Sequence, residues 1–205
     1  MGMVIPGGGD LNGWMVMTES KVGPNILLII SDDHRWCDAG CYGNEDIHTP
    51  HIDRLALEGM RFERYYTPTP MCAPARMSLF SGNFPVRHGG YPNHSYAHPE
   101  VRSIPHHFGE LGYRVGLYGK THIKPPRAFP FETVEDISEF IRRDRNEPWF
   151  LVIATTEPHT EWGPVETEHY DPAKLTLWPN LADTPETRSA LARYYSSVTR
   201  LDRKI

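Results

Sequence analysis

Cys72 lies in the run Met71-Cys72-Ala73-Pro74-Ala75-Arg76, whose residue types make little sense as core packing and good sense as a catalytic loop. Pro74 discourages helix before it and permits helix after it, which sets Arg76 one turn into that helix. A thiol and a cation then share a helix N-terminus, where anions bind and thiolates are stabilised. Three other polar clusters each follow an apolar run: Asp32-Asp33, Gly119-Lys120-Thr121-His122 and Thr155-Thr156-Glu157-Pro158-His159. Gathered in one crevice, Asp32, Asp33, Cys72, Arg76, Lys120, His122 and His159 would hold a cation, grip an anionic group and move protons.

Each of these residues has a plainer reading on its own. Adjacent aspartates after a strand serve as a helix cap or turn about as often as a metal site, because their oxygens satisfy free backbone N–H groups equally well. A lone lysine is usually solvated surface, and lone histidines in loops are usually ordinary, as assumed for His48, His51, His106 and His107. Arg76 has the option of simply pairing with a carboxylate. The argument for a site therefore rests on their joint occurrence at the ends of strands.

The elements that must position them read as strand alternating with helix. Asn25 to Ile30 is a continuous apolar, β-branched run, expected as a strand buried on both faces of a parallel sheet. His51 to Glu58 places Ile52, Leu55 and Ala56 on one helical face and stops at Gly59; Ser103 to Leu111 is a second helix stopping at Gly112. Tyr113 to Tyr118 and Trp149 to Ala154 are further strands, Glu132 to Arg145 is an amphipathic helix, and Thr184 to Arg203 is a last helix opened by Pro185. The Pro-rich stretch from Tyr66 to Pro74 is a loop. Strand alternating with helix implies a layered α/β domain, in which ligands gather beyond the carboxyl ends of the strands.

Composition bounds the function classes. A chain of 205 residues, 39% hydrophobic and 23% charged, can bury a real core. Its formal charge of -5 argues against a general nucleic-acid binder. The longest apolar block, Ile26 to Ile30, is far below membrane-spanning length, so no membrane partner is expected. Three cysteines, Cys37, Cys41 and Cys72, exclude a disulfide scaffold, and Cys37 with Cys41 lacks the second pair that a zinc clip needs. Residues 1–23 hold Gly7-Gly8-Gly9 and no cationic start before a long apolar core. They read as a flexible lead without a signal peptide, which leaves a cytoplasmic location as the default.

Cys72-Ala73-Pro74-Ala75-Arg76 fits the C-x-P-x-R core of the type I sulfatases, and Leu79-Phe80-Ser81-Gly82 resembles its usual continuation. The likeness extends through Asn25 to Asp33, Thr49 to Ala56, Gly112 to His122 and Pro158-His159, in the same order and spacing. It implies an alkaline-phosphatase-like α/β/α sandwich with a largely parallel central sheet, residues 24–205 forming the N-terminal part of the catalytic domain.

The resemblance also implies a chemistry. In this family the motif cysteine is oxidised to formylglycine by a separate formylglycine-generating enzyme, and the aldehyde hydrates. One hydroxyl of the hydrate attacks sulfur, and the other expels sulfate and regenerates the aldehyde; a plain serine or cysteine would leave a covalent ester to be hydrolysed slowly. By likeness Asp32, Asp33 and the converted Cys72 are metal ligands, for Ca²⁺ or alternatively Mg²⁺ or Mn²⁺. Arg76 resembles the arginine that holds the hydrate, and Lys120 and His159 resemble the residues that contact sulfate. His122 stands where it could accept a proton.

The implied reaction is hydrolysis of a sulfuric ester or sulfamate, on a sulfated sugar. Val101 to Pro105, Tyr170 to Asn180 and Thr184 to Asp202 resemble the N-sulfoglucosamine sulfohydrolase branch. Trp162 and Tyr170 are candidates to stack on a sugar ring, against a plainer reading as packing residues. The alternatives are a phosphonate monoester or phosphodiester hydrolase of the same superfamily, and an inactive remnant that only binds a partner.

Two departures from the family pattern stand out. Thr121 replaces the tryptophan common between the lysine and histidine. The sequence also ends at Ile205, before the Asp-Asn or Asp-His pair, the further basic residue and the small C-terminal domain of family members. The sheet is accordingly expected to be incomplete on its C-terminal side, with an exposed edge, and a second chain is expected to complete the domain before it acts.

Overall fold

Three short runs rich in Ile, Val, Leu and aromatic residues and one two-residue segment assemble into one parallel sheet: β1 (Ile26–Ile30), β2 (Arg114–Gly119), β3 (Glu132–Thr133) and β4 (Trp149–Ala154), in the order β1-β4-β2-β3. The computed structural model describes residues 23–144, 146–166 and 169–205. The expected flexible lead therefore falls, but for Gly23, outside the described residues.

β4 sits between β1 and β2, and its period-two alternation decides the layers. Phe150, Val152 and Ala154 point to one face, where they pack with Met77 and Phe80 of α2 (Cys72–Ser81) and with Ile104 and Phe108 of α4 (Ile104–Glu110). Leu151 and Ile153 point to the other face, against Ile137 and Phe140 of α5 (Ile137–Arg142) and Val134. A Cβ on Gly116 of β2 would lie 2.6 Å from Val134 and 2.7 Å from Phe140, so glycine there allows α5 to close on the sheet. The result is the expected α/β/α sandwich.

A separate cluster surrounds α6 (Pro185–Asp202), where Leu191, Tyr194, Tyr195 and Val198 pack on Ile47, Tyr170 and Leu175. The other helices are α1 (Pro50–Glu58) and the single turn α3 (Pro85–His88). Asp202, fully buried at the end of α6, accepts hydrogen bonds from the backbone N–H groups of His51 (3.1 Å) and Ile52 (2.8 Å) and so caps α1 from across the chain. Among the described residues no helix is long and apolar enough to cross a membrane.

Four sequence expectations are corrected. The helix expected over Glu132 to Arg145 is shorter: Glu132 and Thr133 pair with Gly116 and Leu117 of β2, and Asp136 starts α5 by accepting the N–H of Glu139 at 3.0 Å. The loop from Tyr66 ends at Met71, and Cys72 is itself the first helical residue. Pro74 sits in the first turn, where its missing N–H costs nothing. β1 is not buried on both faces, because it is the edge strand and nothing described covers Leu27, which is 51% exposed. α1 likewise buries its expected apolar face only in part, with Ile52 and Ala56 half-buried and Leu55 exposed.

Candidate active site

Parallel register brings three strand ends into one row, because Ala154 of β4 aligns with Ile30 of β1 on one side and with Gly119 of β2 on the other. The ladder continues past the strands: Lys120 N–H donates to Ala154 C=O at 2.8 Å, Thr155 N–H to Ile30 C=O at 2.9 Å, and Asp32 N–H to Glu157 C=O at 2.9 Å. Asp32, Lys120 and the turn leading to His159 thus emerge side by side at the carboxyl edge. Gly119 makes this possible: its φ is 88°, and a Cβ there would stand 2.2 Å from the Ala154 carbonyl oxygen.

Asp32 is the hub of the site. Its carboxylate, 3% exposed, accepts a bond from Arg76 Nη2 at 3.3 Å and another from the Lys120 ammonium. Arg76 Nη1 also donates to the Lys120 C=O at 3.0 Å, so one buried guanidinium ties α2 to the ends of both β1 and β2. Burial alone would push the Asp32 carboxyl up, but the Lys120 and Arg76 charges outweigh it and hold it below the usual carboxylate range. Arg76 therefore does pair with a carboxylate, as its plainer reading had it, and that carboxylate belongs to the site.

Cys72 opens α2 with its thiol 3.8 Å from Asp33 Oδ1. Burial first, and then the negative charges of Asp32 and Asp33 against the pull of Lys120 and Arg76, push its pKa above the ordinary thiol value. The helix N-terminus does not make it a thiolate: burial, followed by the two carboxylates, keeps the side chain a protonated thiol near neutral pH. His159 Nδ1 donates to the Thr160 C=O at 2.6 Å, which leaves Nε2, 3.5 Å from Asp33 Oδ2, as the nitrogen free to exchange a proton.

His122 stands two residues beyond Lys120, and burial first, then the Lys120 charge, hold its pKa below the ordinary histidine value. Its Nε2 lies 2.8 Å from Nδ1 of His94. Among the described residues, the non-glycine residues with left-handed φ are Asp33 (58°), His94 (62°) and His122 (50°), all within this region. Asn93, beside His94, accepts the free N–H of Ala73 at 3.1 Å. No sequence pattern singled out Asn93 or His94, since their partners lie 20 and 28 residues away.

A cavity of about 730 Å³ opens over Asp32, Asp33, Cys72 and Arg76, with Tyr65, Tyr66 and Phe84 among its walls. Lys120 reaches Asp32 from outside that wall. Trp162 and Tyr170, the candidate sugar platforms, belong to the α6 cluster instead: Tyr170 is buried with its hydroxyl 2.5 Å from Thr199, and Trp162 Nε1–H donates to the Pro158 C=O at 2.7 Å.

Ligand atoms of Asp32, Asp33 and Cys72 all lie within 4.8 Å of one another, the one such cluster among the described residues. The two carboxylates suit a hard cation such as calcium or magnesium; the thiol does not, and becomes a suitable donor only when oxygen replaces its sulfur.

A sequence model of the family described as Sulfatase matches residues 24–129, just over half of the chain. An Ulvan-active sulfatase of Formosa agariphila is 29% identical, over 85% of this chain and 38% of that protein. The human N-sulphoglucosamine sulphohydrolase is 27% identical, over 88% of this chain and 45% of its own length. Among solved structures, the phosphonate monoester hydrolase of Agrobacterium radiobacter matches with a TM-score of 0.77 at 18% identity, over 89% of this chain and 57% of that one, which is a likeness of fold. The chain thus spans less than half the length of these two curated relatives.

Proposed function

This chain belongs to the sulfatase family, and from that membership we propose that its site hydrolyses the sulfate ester or sulfamate of a sulfated sugar. The observation that carries the proposal is the cluster of Asp32, Asp33 and Cys72 ligand atoms within 4.8 Å, braced by Arg76 and Lys120. Asp32 and Asp33 would hold the cation, with calcium our choice over magnesium or manganese. When bound, the ion withdraws charge from the sulfate oxygens.

The residues of the chain do the rest. Cys72, whose thiol burial and then the neighbouring carboxylates keep protonated, is a poor nucleophile as it stands, which favours its reading as the precursor of formylglycine made by a maturation enzyme. Arg76 and Lys120 place positive charge beside the group under attack. His122, held neutral by burial and by Lys120, accepts a proton from the nucleophile. His159, its Nδ1 fixed on Thr160, gives one from Nε2 to the leaving oxygen or nitrogen. The sulfated sugar follows from the names of the two curated relatives. Tyr65 and Tyr66, exposed on the cavity wall, are the aromatic faces offered to a sugar ring.

Two carboxylates and one further oxygen are fewer than the roughly six to eight that calcium takes. We therefore propose that additional donors come from a segment outside these 205 residues, on a second polypeptide if this chain is made alone. The test is to produce the full-length protein with its maturation enzyme, read the mass of the Cys72 peptide, and compare rates on aryl sulfate, phosphate and phosphonate esters. Thiol-to-aldehyde conversion with fastest turnover of the sulfate is expected. An intact thiol in every preparation, or turnover of the phosphorus esters alone, overturns the reading.

A further inference from the structure

The turn Pro92 to Ser95 touches two parts of the site that lie far apart in sequence. Asn93 Oδ1 accepts the N–H of Ala73, one of the backbone donors that the first turn of α2 leaves free, directly after Cys72. Its neighbour His94 meets His122 ring to ring, with centroids 4.5 Å apart and His94 Nδ1 2.8 Å from His122 Nε2. The remaining nitrogen of His122, Nδ1, is buried and has no hydrogen-bond partner among the described residues.

That arrangement decides where the proton sits. If His122 carried it on Nδ1, a buried N–H would be orphaned, and such donors are rarer in proteins than orphaned acceptors. The proton therefore belongs on Nε2 and is donated to His94 Nδ1, which leaves His94 to carry its own proton on its exposed Nε2. His122 Nδ1 is left with a free lone pair. We propose that His94 is a positioning residue, which fixes the ring and tautomer of His122 so that Nδ1 is the basic nitrogen, while Asn93 anchors the same turn to the helix that begins at Cys72.

The left-handed backbone of both His94 and His122 agrees with this, because two strained residues in contact are held by what they do rather than by local preference. The use of His122 as a base rests on the function proposed above; its tautomer does not.

Two substitutions separate the hydrogen bond from the backbone, since asparagine and glycine both tolerate the left-handed φ. His94→Asn keeps an acceptor close to the position of Nδ1, and His94→Gly removes it. Nitrogen-15 spectra of the labelled histidines are expected to show His122 in the Nε2–H form in the wild type and in His94→Asn, and as a mixture in His94→Gly. On an aryl sulfate, kcat of His94→Gly is expected to fall about tenfold to a hundredfold with KM little changed, and His94→Asn to recover most of it. An Nδ1–H tautomer in the wild type, an unmixed tautomer in His94→Gly, or an unchanged kcat in that variant overturns the proposal. Absence of sulfate turnover in the full-length, matured wild-type protein instead counts against the sulfatase function, and the spectra still decide the tautomer.

Discussion

Arg76 and Asp32 lie 44 residues apart in sequence and meet at 3.3 Å, both nearly buried, in the bridge that fastens the helix of Cys72 to the sheet. The same guanidinium reaches the main chain of Lys120, so the helix of Cys72, the Asp32 carboxylate and Lys120 share one support. Its planar fork matters here, because a lysine cannot serve two acceptors in that geometry.

Arg76→Lys is accordingly expected to retain the charge yet lose roughly a hundredfold in kcat, as the fork is lost. Arg76→Met should destabilise the fold by about 3 kcal/mol, the lower end for a broken buried pair, since Lys120 still faces Asp32. Denaturant unfolding and steady-state rates on the same preparations check both values. Unchanged stability in Arg76→Met would show that the bridge is not structural.

Asp33 differs from Asp32 in that no lysine or arginine among the described residues pairs with it, its neighbour being His159 at 3.5 Å, and in a side chain 58% exposed. Asp33→Asn is expected to weaken calcium binding about tenfold or more while moving stability by no more than about 0.5 kcal/mol. Asp32→Asn should impair both, because it strands Arg76 and Lys120. Calorimetric calcium titration alongside thermal melts distinguishes the two carboxylates.

Gly119→Ala forces a methyl group against the Ala154 carbonyl oxygen and should cost about 2 kcal/mol or more, shifting Lys120 away from Asp32. Gly112 has an equally left-handed φ of 83° but open space around its Cα. Gly112→Ala is expected to cost only about 1 kcal/mol. Equal unfolding free energies for the two variants would remove the steric argument.

Asp202→Asn leaves one of two α1 donors without its carboxylate oxygen and is expected to cost about 1–3 kcal/mol. Urea unfolding should show a lower midpoint at unchanged m-value. A neutral result would mean that the first turn of α1 finds water instead.

His88 is fully buried, with Nδ1 accepting the Gly90 N–H at 3.1 Å and Nε2 donating to Ser78 Oγ at 2.9 Å. Burial holds its pKa below the ordinary 6.5, so below that pH the unfolded chain binds the extra proton and the folded chain resists it. This contribution is complete above about pH 6.5 and is lost as pH falls from there through the lower folded value. His88→Gln should flatten that part of the stability profile. An identical slope in variant and wild type between pH 7 and 5 would assign the effect elsewhere.

Much of the fold was legible in the residues themselves. The runs Asn25 to Ile30, Tyr113 to Tyr118 and Trp149 to Ala154 read as strands, within one residue of those observed, because continuous β-branched and aromatic stretches suit a pleated, covered surface. The end of each run carried the polar residues later found side by side, and proline and capping residues marked the helices α2, α4 and α6. Periodicity misled over Glu132 to Arg145, where the neighbouring edge of β2 captured two residues that local preference assigned to a helix. It misled again for β1, since burial depends on what covers a strand and not on the strand alone.

For the site, residue type and order alone determined which groups gather: Asp32, Asp33, Cys72, Arg76, Lys120, His122 and His159 all follow strands or open a helix, and a parallel sheet brings such positions to one edge. Only the tertiary structure decided their states. The protonated thiol of Cys72, the depressed carboxyl of Asp32 and the pairing of His122 with His94 come from charges and burial contributed by segments distant in sequence. Electrostatic energy depends on separation in space and on exclusion of water, and neither quantity exists until the chain has folded.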